Sequence, residues 1–473
     1  MTGAGGAWTG RRACVLGLGR SGLGATRLLL DGGARVRALE LEPSEETLAR
    51  FAPLGERGAE LIPGPHPLAA LDGCDLVVRS PGVRDEVPIL REAVRRGLPV
   101  RSEVALAAEC VATPILAVTG TNGKTTTTAW TAHLLARAGY PAIACGNIGR
   151  ALSDAVREEP AGTLFVVEIS SFQLQDSPEL HPHAAAILNL TPDHLDRHGD
   201  LDTYVRAKWT IARNQTPSDR LALGPGVEPP PDLAARARRV RFAAEDPGTP
   251  DALFARDGTI FARAEGAGAQ AVLPVAELSL PGPHNLLNAM AALALAAGIE
   301  PRLARLAAGL RDFPGLPHRL ETVGVVDGVR FVNDSKATNV DSMRVALQSF
   351  AAPLVLIAGG RDKAGPFEEI TKLVEQHVRR LILVGEAAQR IRSAWPRVPS
   401  EIARDFADAV HRAYAAARGG AIVLLSPGCA SFDLFRNYEH RGDVFRELVG
   451  RLAAEVEGRE AGAAASRPEE DRA

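Results

Sequence analysis

Short apolar runs alternate with glycine-rich or polar turns and with stretches of helical periodicity along most of the chain. The first run, Ala13-Cys14-Val15-Leu16, leads into Gly17-Leu18-Gly19-Arg20-Ser21-Gly22 and a helical stretch reaching Leu30. Residues 36–39 form a second run closed by Glu40, and residues 75–79 a further one closed by Ser80-Pro81-Gly82. Buried strands separated by helices predict a doubly wound α/β arrangement. The pattern restarts at residues 114–118, with a helix from Thr125 to Ala138 and strands at 164–169 and 184–190. Residues 221–280 are richer in Pro and Gly and carry short alternating pieces such as 253–262, which predict an irregular β-rich part of the same domain. A third set begins near Gly315, with strands at 329–332, 354–358, 381–384 and 421–425. The prediction is three α/β domains: a Rossmann-like N-terminal domain (1–109), a central P-loop ATPase-like domain (110–313) and a Rossmann-like C-terminal domain (314–457). Residues 458–473 hold almost nothing apolar beyond alanine and predict a disordered tail.

Composition narrows the class without changing this picture. A chain of 473 residues is too long for one hydrophobic core, and 46% apolar with 23% charged residues is ordinary for a soluble globular protein. The net charge of -3 and the lack of a Lys/Arg-dense stripe argue against nucleic acid as a partner. Five scattered cysteines without a C-x-x-C pair read as reduced thiols. No basic segment followed by an apolar core opens the chain, and the apolar stretch 289–299 is far shorter than the roughly 20 residues of a membrane span. A soluble, cytoplasmic protein without a membrane span is expected.

The candidate chemistry gathers at predicted strand ends. Thr119-Gly120-Thr121-Asn122-Gly123-Lys124-Thr125-Thr126 lies between a strand and a helix, where backbone N–H groups and a helix N-terminus point at phosphate oxygens. Lys124 would neutralise β/γ-phosphates and Thr125 would ligate Mg²⁺. The motif is shortened, because Val118 occupies the position of the first glycine in the general pattern. The next strand ends at Glu168-Ile169-Ser170-Ser171, placing a carboxylate where a second Mg²⁺ ligand belongs. A third leads into Asn189-Leu190-Thr191-Pro192-Asp193-His194-Leu195-Asp196-Arg197-His198, bringing imidazoles to the same edge. In the following helix Leu201, Tyr204, Val205, Lys208 and Ile211 share one face, so Lys208 lies in an apolar stripe. Such a lysine either snorkels to water or is a partly buried amine of lowered pKa, able to add CO₂ and become a carbamate metal ligand.

Three further strands end in Asn333-Asp334-Ser335-Lys336-Ala337-Thr338-Asn339, in Gly359-Gly360-Arg361-Asp362-Lys363, and in Ser426-Pro427-Gly428-Cys429-Ala430-Ser431. Their cations and hydroxyls could together grip a small dicarboxylate. The N-terminal G-x-G-x-x-G with Glu40 also has the outline of a dinucleotide fingerprint, a weak signal by itself.

Taken in order, these strings resemble the Mur ligase family, and within it the D-glutamate-adding branch. The matching strings are G-T-N-G-K-T-T, E-I-S-S-F-Q-L, L-N-L-T-P-D-H-L-D-R-H, H-N-x-x-N at 284–288, L-P-H-R at 316–319, N-D-S-K-A-T-N and L-S-P-G-C-A-S-F-D. They span about Cys14 to Phe445. The resemblance implies an ATP-dependent amide ligase acting on UDP-N-acetylmuramoyl-L-alanine and D-glutamate through an acyl phosphate, expected to be a monomer. It implies that Ser21, Ser80, Gly82, Asn147 and Ser170 contact the UDP-linked substrate. Gly120, Thr121, Asn122, Gly123, Lys124, Thr125, Thr126, Asn288, Arg319, Asp334 and Lys336 would bind ATP. Thr125, Glu168, His194 and a carbamylated Lys208 would hold two Mg²⁺ ions, with Lys124, Glu168, His194 and Lys208 as the catalytic set. Thr338, Lys363, Ser431 and Tyr438 would receive D-glutamate, and domain closure would assemble the site. Two departures stand out: Glu40-Leu41-Glu42 where the family often has an acidic residue followed by Thr-Arg, and Tyr438 where some members have Phe. Rival readings are a ligase for another amino acid, a noncatalytic muropeptide sensor, and an NAD-dependent oxidoreductase resting on the N-terminal glycines.

Overall fold

The computed structural model describes residues 6–465 except 234, 352, 363 and 364, with backbone alone for 195, 196 and 459–465. Among the described residues twenty strands form three sheets. The first contains β1 (Arg12–Leu16), β2 (Arg35–Glu40), β3 (Glu60–Pro63), β4 (Leu76–Arg79) and β5 (Val100–Ser102), all parallel in the order β3-β2-β1-β4-β5. Every residue of β4 is buried, which is why that strand reads as a continuous apolar run and not as an alternation.

The second sheet holds β6 (Ile115–Thr119), β7 (Ala142–Gly146), β8 (Leu164–Glu168), β9 (Ala184–Ile187), β10 (Arg220–Leu223), β11 (Arg238–Ala243), β12 (Ala252–Arg256), β13 (Thr259–Arg263) and β14 (Gln270–Pro274). Its order is β14-β13-β12-β11-β10-β9-β6-β8-β7. Pairings from β7 to β12 are parallel, and the two beyond β12 are antiparallel. The stretch 221–280 is therefore β-rich as expected, and its strands β10 to β14 join the same sheet, with long non-strand connections between β10, β11 and β12. Asp257-Gly258, both with positive φ (48° and 70°), turns β12 into β13, as an Asp-Gly hairpin should.

The third sheet holds β15 (Glu321–Val326), β16 (Val329–Asn333), β17 (Leu354–Ala358), β18 (Val378–Leu383), β19 (Ser400–Ile402) and β20 (Ile422–Leu425), in the order β15-β16-β20-β17-β18-β19. Strand β15 is an antiparallel edge that the sequence reading missed, joined to β16 by a second Asp-Gly turn, Asp327-Gly328.

The chain divides into two compact units, Met1–Phe313 and Pro314–Ala473. In the first unit one apolar core runs from the first sheet into the second, through Leu28, Val78, Leu106, Leu152 and Ile169. Polar ties cross the same boundary: Arg79 Nε donates to Asp176 Oδ2 (2.5 Å), and Arg27 pairs with Asp154 (3.0 Å). The two predicted N-terminal domains thus pack as one unit. In the second unit separate apolar clusters cover the sheet, one with Met343, Phe367 and Trp395 and the other with Phe331, Phe406 and Phe445. Its last helix, Tyr438–Ala465, continues past Gly458, where the sequence predicts the disordered tail to begin; 466–473 lie outside the described residues. Among the described residues no helix is long and apolar enough to cross a membrane.

Gly224, just after β10, tests how tightly the second sheet closes. Its N–H donates to Ile187 O (3.0 Å), and a Cβ there would overlap the carbonyl oxygen of Leu188. Gly224→Ala is expected to lower unfolding stability by about 1–3 kcal/mol. Denaturant unfolding of the full chain measures this, and an unchanged midpoint would contradict the close approach.

Candidate active site

Strand β6 ends in the phosphate loop, and the helix Lys124–Arg137 begins directly after it. Gly120 and Gly123 carry φ of 147° and 83°, values that a side chain would strain. A Cβ on Gly123 would also run into Asn288 Oδ1, so the helix Pro283–Ala296 presses against the loop. Asn288 in turn accepts from Thr127 Oγ1 (3.3 Å) and donates to Asn285 Oδ1 (3.3 Å). The cradle is shaped from two helices at once.

Lys124 Nζ donates to Gly120 O (2.9 Å) and Thr121 O (2.7 Å). Lys208, on the helix Leu201–Trp209, donates to the same Gly120 O (2.9 Å) and is 2% exposed. It does not snorkel; its ammonium lies 4.6 Å from the Tyr204 ring centroid. Burial, and then the nearby Lys124 charge, bring its pKa down from 10.5 to about 7.

Glu168, at the end of β8, is 3% exposed. Its Oε1 accepts from Asn147 Nδ2 (3.0 Å), whereas Oε2 is buried without a hydrogen-bond partner among the described residues. An unpaired buried carboxylate oxygen is costly unless something cationic joins it. That atom fits a hard cation such as Mg²⁺. His194 is different: its side chain is 55% exposed, on a residue with φ of 53°, and packs edge-on against Phe172. Among the described residues no three His, Cys, Asp or Glu side chains gather as a metal site.

Among the residues expected to meet the UDP-linked substrate, Ser80 Oγ donates to Gly17 O (2.8 Å), joining the loops after β4 and β1, with Ser21 and Gly82 close by in sequence. Glu40 Oε2 accepts from Leu18 N (2.6 Å) and Oε1 from Leu41 N (3.0 Å). The acidic end of β2 thus caps the glycine turn itself, while Leu41 and Glu42 are exposed. Ser170 begins the helix Ser171–Gln175 in a reciprocal capping box with Gln173. Arg197 stacks on Phe172 (3.7 Å) and donates to Pro81 O (2.5 Å) and Val83 O (2.6 Å). Sequence reasoning passed over that arginine; its only signal was membership of the D-R-H string.

In the second unit the three strand ends singled out from the sequence are neighbours, on β16, β20 and β17. Asp334 is buried, accepting from Ser426 Oγ (2.8 Å) and Leu320 N (3.3 Å). Burial raises its carboxyl from 3.8 to about 7, against the pull of Ser426 and Arg319. Lys336 lies over the Tyr438 ring at 5.7 Å, Thr338 is half-buried, and Ser431 is 2% exposed. Lys363 lies outside the described residues. A residue the sequence reading missed binds these loops together: Arg441, 2% exposed, donates to Ser335 Oγ (2.9 Å), Ser335 O (2.8 Å) and Cys429 O (3.2 Å). Burial lowers its pKa to about 10.

The sequence matches three family profiles: Mur ligase MurD-like N-terminal domain at 11–102, Mur ligase middle domain at 118–296, and Mur ligase glutamate ligase domain at 318–429. The UDP-N-acetylmuramoylalanine–D-glutamate ligase of Pelotomaculum thermopropionicum is 40% identical, over 93% of this chain and 98% of that protein. Its counterpart from Salinibacter ruber is 42% identical, with the same coverages. The chain belongs to the Mur ligase family, in this branch. Solved Mur ligases share the fold at lower identity. The UDP-N-acetylmuramate–alanine ligase MurC of Thermotoga maritima has a TM-score of 0.57 at 20% identity, covering 94% of this chain and 99% of that one. MurF of Acinetobacter baumannii has 0.58 at 19%, covering 89% and 91%.

Within this Mur ligase the buried Asp334 gives a pH signature. Its folded pKa of about 7 lies above the ordinary 3.8, so the folded state holds the proton more tightly. That stability is present in full below the ordinary value and is lost as pH rises through 7. Asp334→Asn, which needs no proton, is expected to gain stability relative to the parent across that window and to level off above it. Thermal melts of both proteins against pH measure the difference; a pH-independent gap would refute the buried carboxyl as its source.

Proposed function

We infer that this Mur ligase joins D-glutamate to UDP-N-acetylmuramoyl-L-alanine, using ATP, in peptidoglycan precursor synthesis. Family membership supports the reaction. The observation that carries its mechanism is the meeting of two ammonium groups, Lys124 and Lys208, at Gly120 O, with coulombic influence from Glu168 on Lys208. Bringing a carboxylate against a triphosphate forces two anions together, and Lys124, with the Mg²⁺ that Glu168 and a carbamylated Lys208 would hold, would offset that repulsion.

The alanyl carboxylate oxygen attacks the γ-phosphorus, the bond to the β-phosphate oxygen breaks, and ADP leaves an acyl phosphate. The amine of D-glutamate then adds to the acyl carbon, loses a proton, and the tetrahedral adduct expels inorganic phosphate. Lys124 holds the transferring phosphoryl group from one side, and the amides at the start of its helix hold the nucleotide's other phosphate oxygens. Glu168, with Thr125, His194 and Lys208, would hold Mg²⁺, which supplies charge neutralisation when bound. We read Lys208 as the site of a carbamate, formed when its neutral amine adds CO₂ and releases a proton. An anion there would relieve the crowding of two cations at one carbonyl. In the second unit Lys336, with Asn288, Arg319 and Asp334, is assigned to ATP, and the strand ends bearing Thr338, Lys363 and Ser431, with Tyr438 at the start of the last helix, offer the groups that two carboxylates of D-glutamate need. Ser21, Ser80, Gly82 and Asn147 are assigned to the UDP-linked substrate, and the protein to the cytoplasm as a monomer.

Phosphate release with ATP and UDP-N-acetylmuramoyl-L-alanine should require D-glutamate among a panel of amino acids. Lys124→Ala should abolish turnover yet leave UDP-substrate binding within about threefold. Turnover with another amino acid alone would sink the specificity, and binding without any turnover would favour a sensor. Intact mass analysis in bicarbonate buffer should find one CO₂ on the peptide carrying Lys208, lost on acidification. Lys208→Ala should be inactive and partly rescued by small carboxylates; an unmodified, active protein would remove the carbamate.

A further inference from the structure

Asn189 follows β9 and meets the phosphate loop with its whole carboxamide. Its Oδ1 accepts from Thr121 N (3.1 Å) and Asn122 N (2.8 Å), and its Nδ2 donates to Asn122 O (3.1 Å). Its own carbonyl also accepts from Thr121 N (3.0 Å). Thr121 is fixed further through Oγ1, which pairs with Tyr204 OH (2.9 Å), donates to Thr191 O (3.1 Å) and accepts from Thr191 N (3.1 Å). The flipped carboxamide would set N–H groups against two N–H donors, so the network determines its orientation.

These bonds bear on the shortened motif. Strand β6 runs through Val118 to Thr119, so the turn before Lys124 is only Gly120 to Gly123. A longer phosphate loop curls all its amides around the anion. Here the amides of Thr121 and Asn122 are turned to the end of β9.

One reading is that Asn189 Oδ1 is a stand-in acceptor that a phosphate oxygen displaces. The Nδ2 bond to Asn122 O speaks against it, because a deprotonated phosphate has no hydrogen to donate to that carbonyl. A ligand replacing Asn189 would leave it unpaired. We propose that Asn189 is a positioning residue that clamps the front of the loop, so that the triphosphate is gripped by the amides of residues 123–126 and not by those of 121 and 122. This rests on the nucleotide-binding reading above.

The test is direct Mg-ATP binding to the full chain by calorimetry, alongside steady-state kinetics and hydrogen exchange of the segment 119–123. Asn189→Ala is expected to weaken ATP roughly tenfold, the equivalent of one or two lost hydrogen bonds. Its KM for ATP should rise far more than kcat falls, the KM for the UDP-linked substrate should stay the same, and the segment should exchange faster. Asn189→Asp can still accept both N–H groups but repels Asn122 O and the phosphates. It should keep much of the protection and yet bind ATP more weakly than Asn189→Ala. Tighter or unchanged ATP binding in Asn189→Ala would overturn the clamp in favour of the stand-in, and wild-type-like binding in Asn189→Asp would overturn it too. Equal losses for both substrates would reduce Asn189 to general structure and also overturn it. A wild-type protein that fails to bind ATP would overturn the nucleotide reading itself, and the clamp with it.

Discussion

Two ammonium groups share one carbonyl oxygen at the centre of the first unit. Lys124 arrives from the helix that opens after the loop, and Lys208 from a helix some eighty residues later in the chain. Neither position is comfortable: like charges repel, and burial strips water from Lys208. What makes the arrangement tenable is the geometry around it. Gly120 turns its carbonyl through a left-handed conformation, and Glu168 directs a carboxylate into the same region. A site so constructed is poised for anions, and ATP with an acidic co-substrate is the chemistry that would use it.

The second unit solves a related problem with the opposite sign. Asp334 is enclosed and its carboxyl leans toward the neutral form, while Arg441 is enclosed and stays charged through bonds to three backbone or hydroxyl oxygens. The arginine remains bound because its planar fork reaches several acceptors at once, which a lysine could not do.

Much of this was legible in the sequence because parallel sheets bury both faces and put their turns at one edge. Apolar runs therefore located β1, β4, β6, β8, β16, β17 and β20 to within a residue or two, and the polar strings after them located the loops. The missed elements were those whose signal is short. Edge strands β14 and β15 alternate weakly, although Asp327-Gly328 marked the turn after β15. Asn189, Arg197 and Arg441 were illegible for another reason: each acts through backbone groups distant in the chain, and no spacing rule reports such a contact. Glu40 shows the converse, since it completed the outline of a dinucleotide fingerprint and its carboxylate caps its own glycine turn.

Arg441 also imposes an order on how the molecule can be made. The loops after β16 and β20 take their shape from a side chain near the end of the chain, about a hundred residues beyond Ser335. Synthesis delivers the first unit's sheets whole long before that arginine exists. The nucleotide loop can therefore mature while the chain is still growing, whereas the second unit's loops must wait for its final helix. A chain cut short just before Arg441 would retain every strand of all three sheets and still lack the fastening that gives those loops one form.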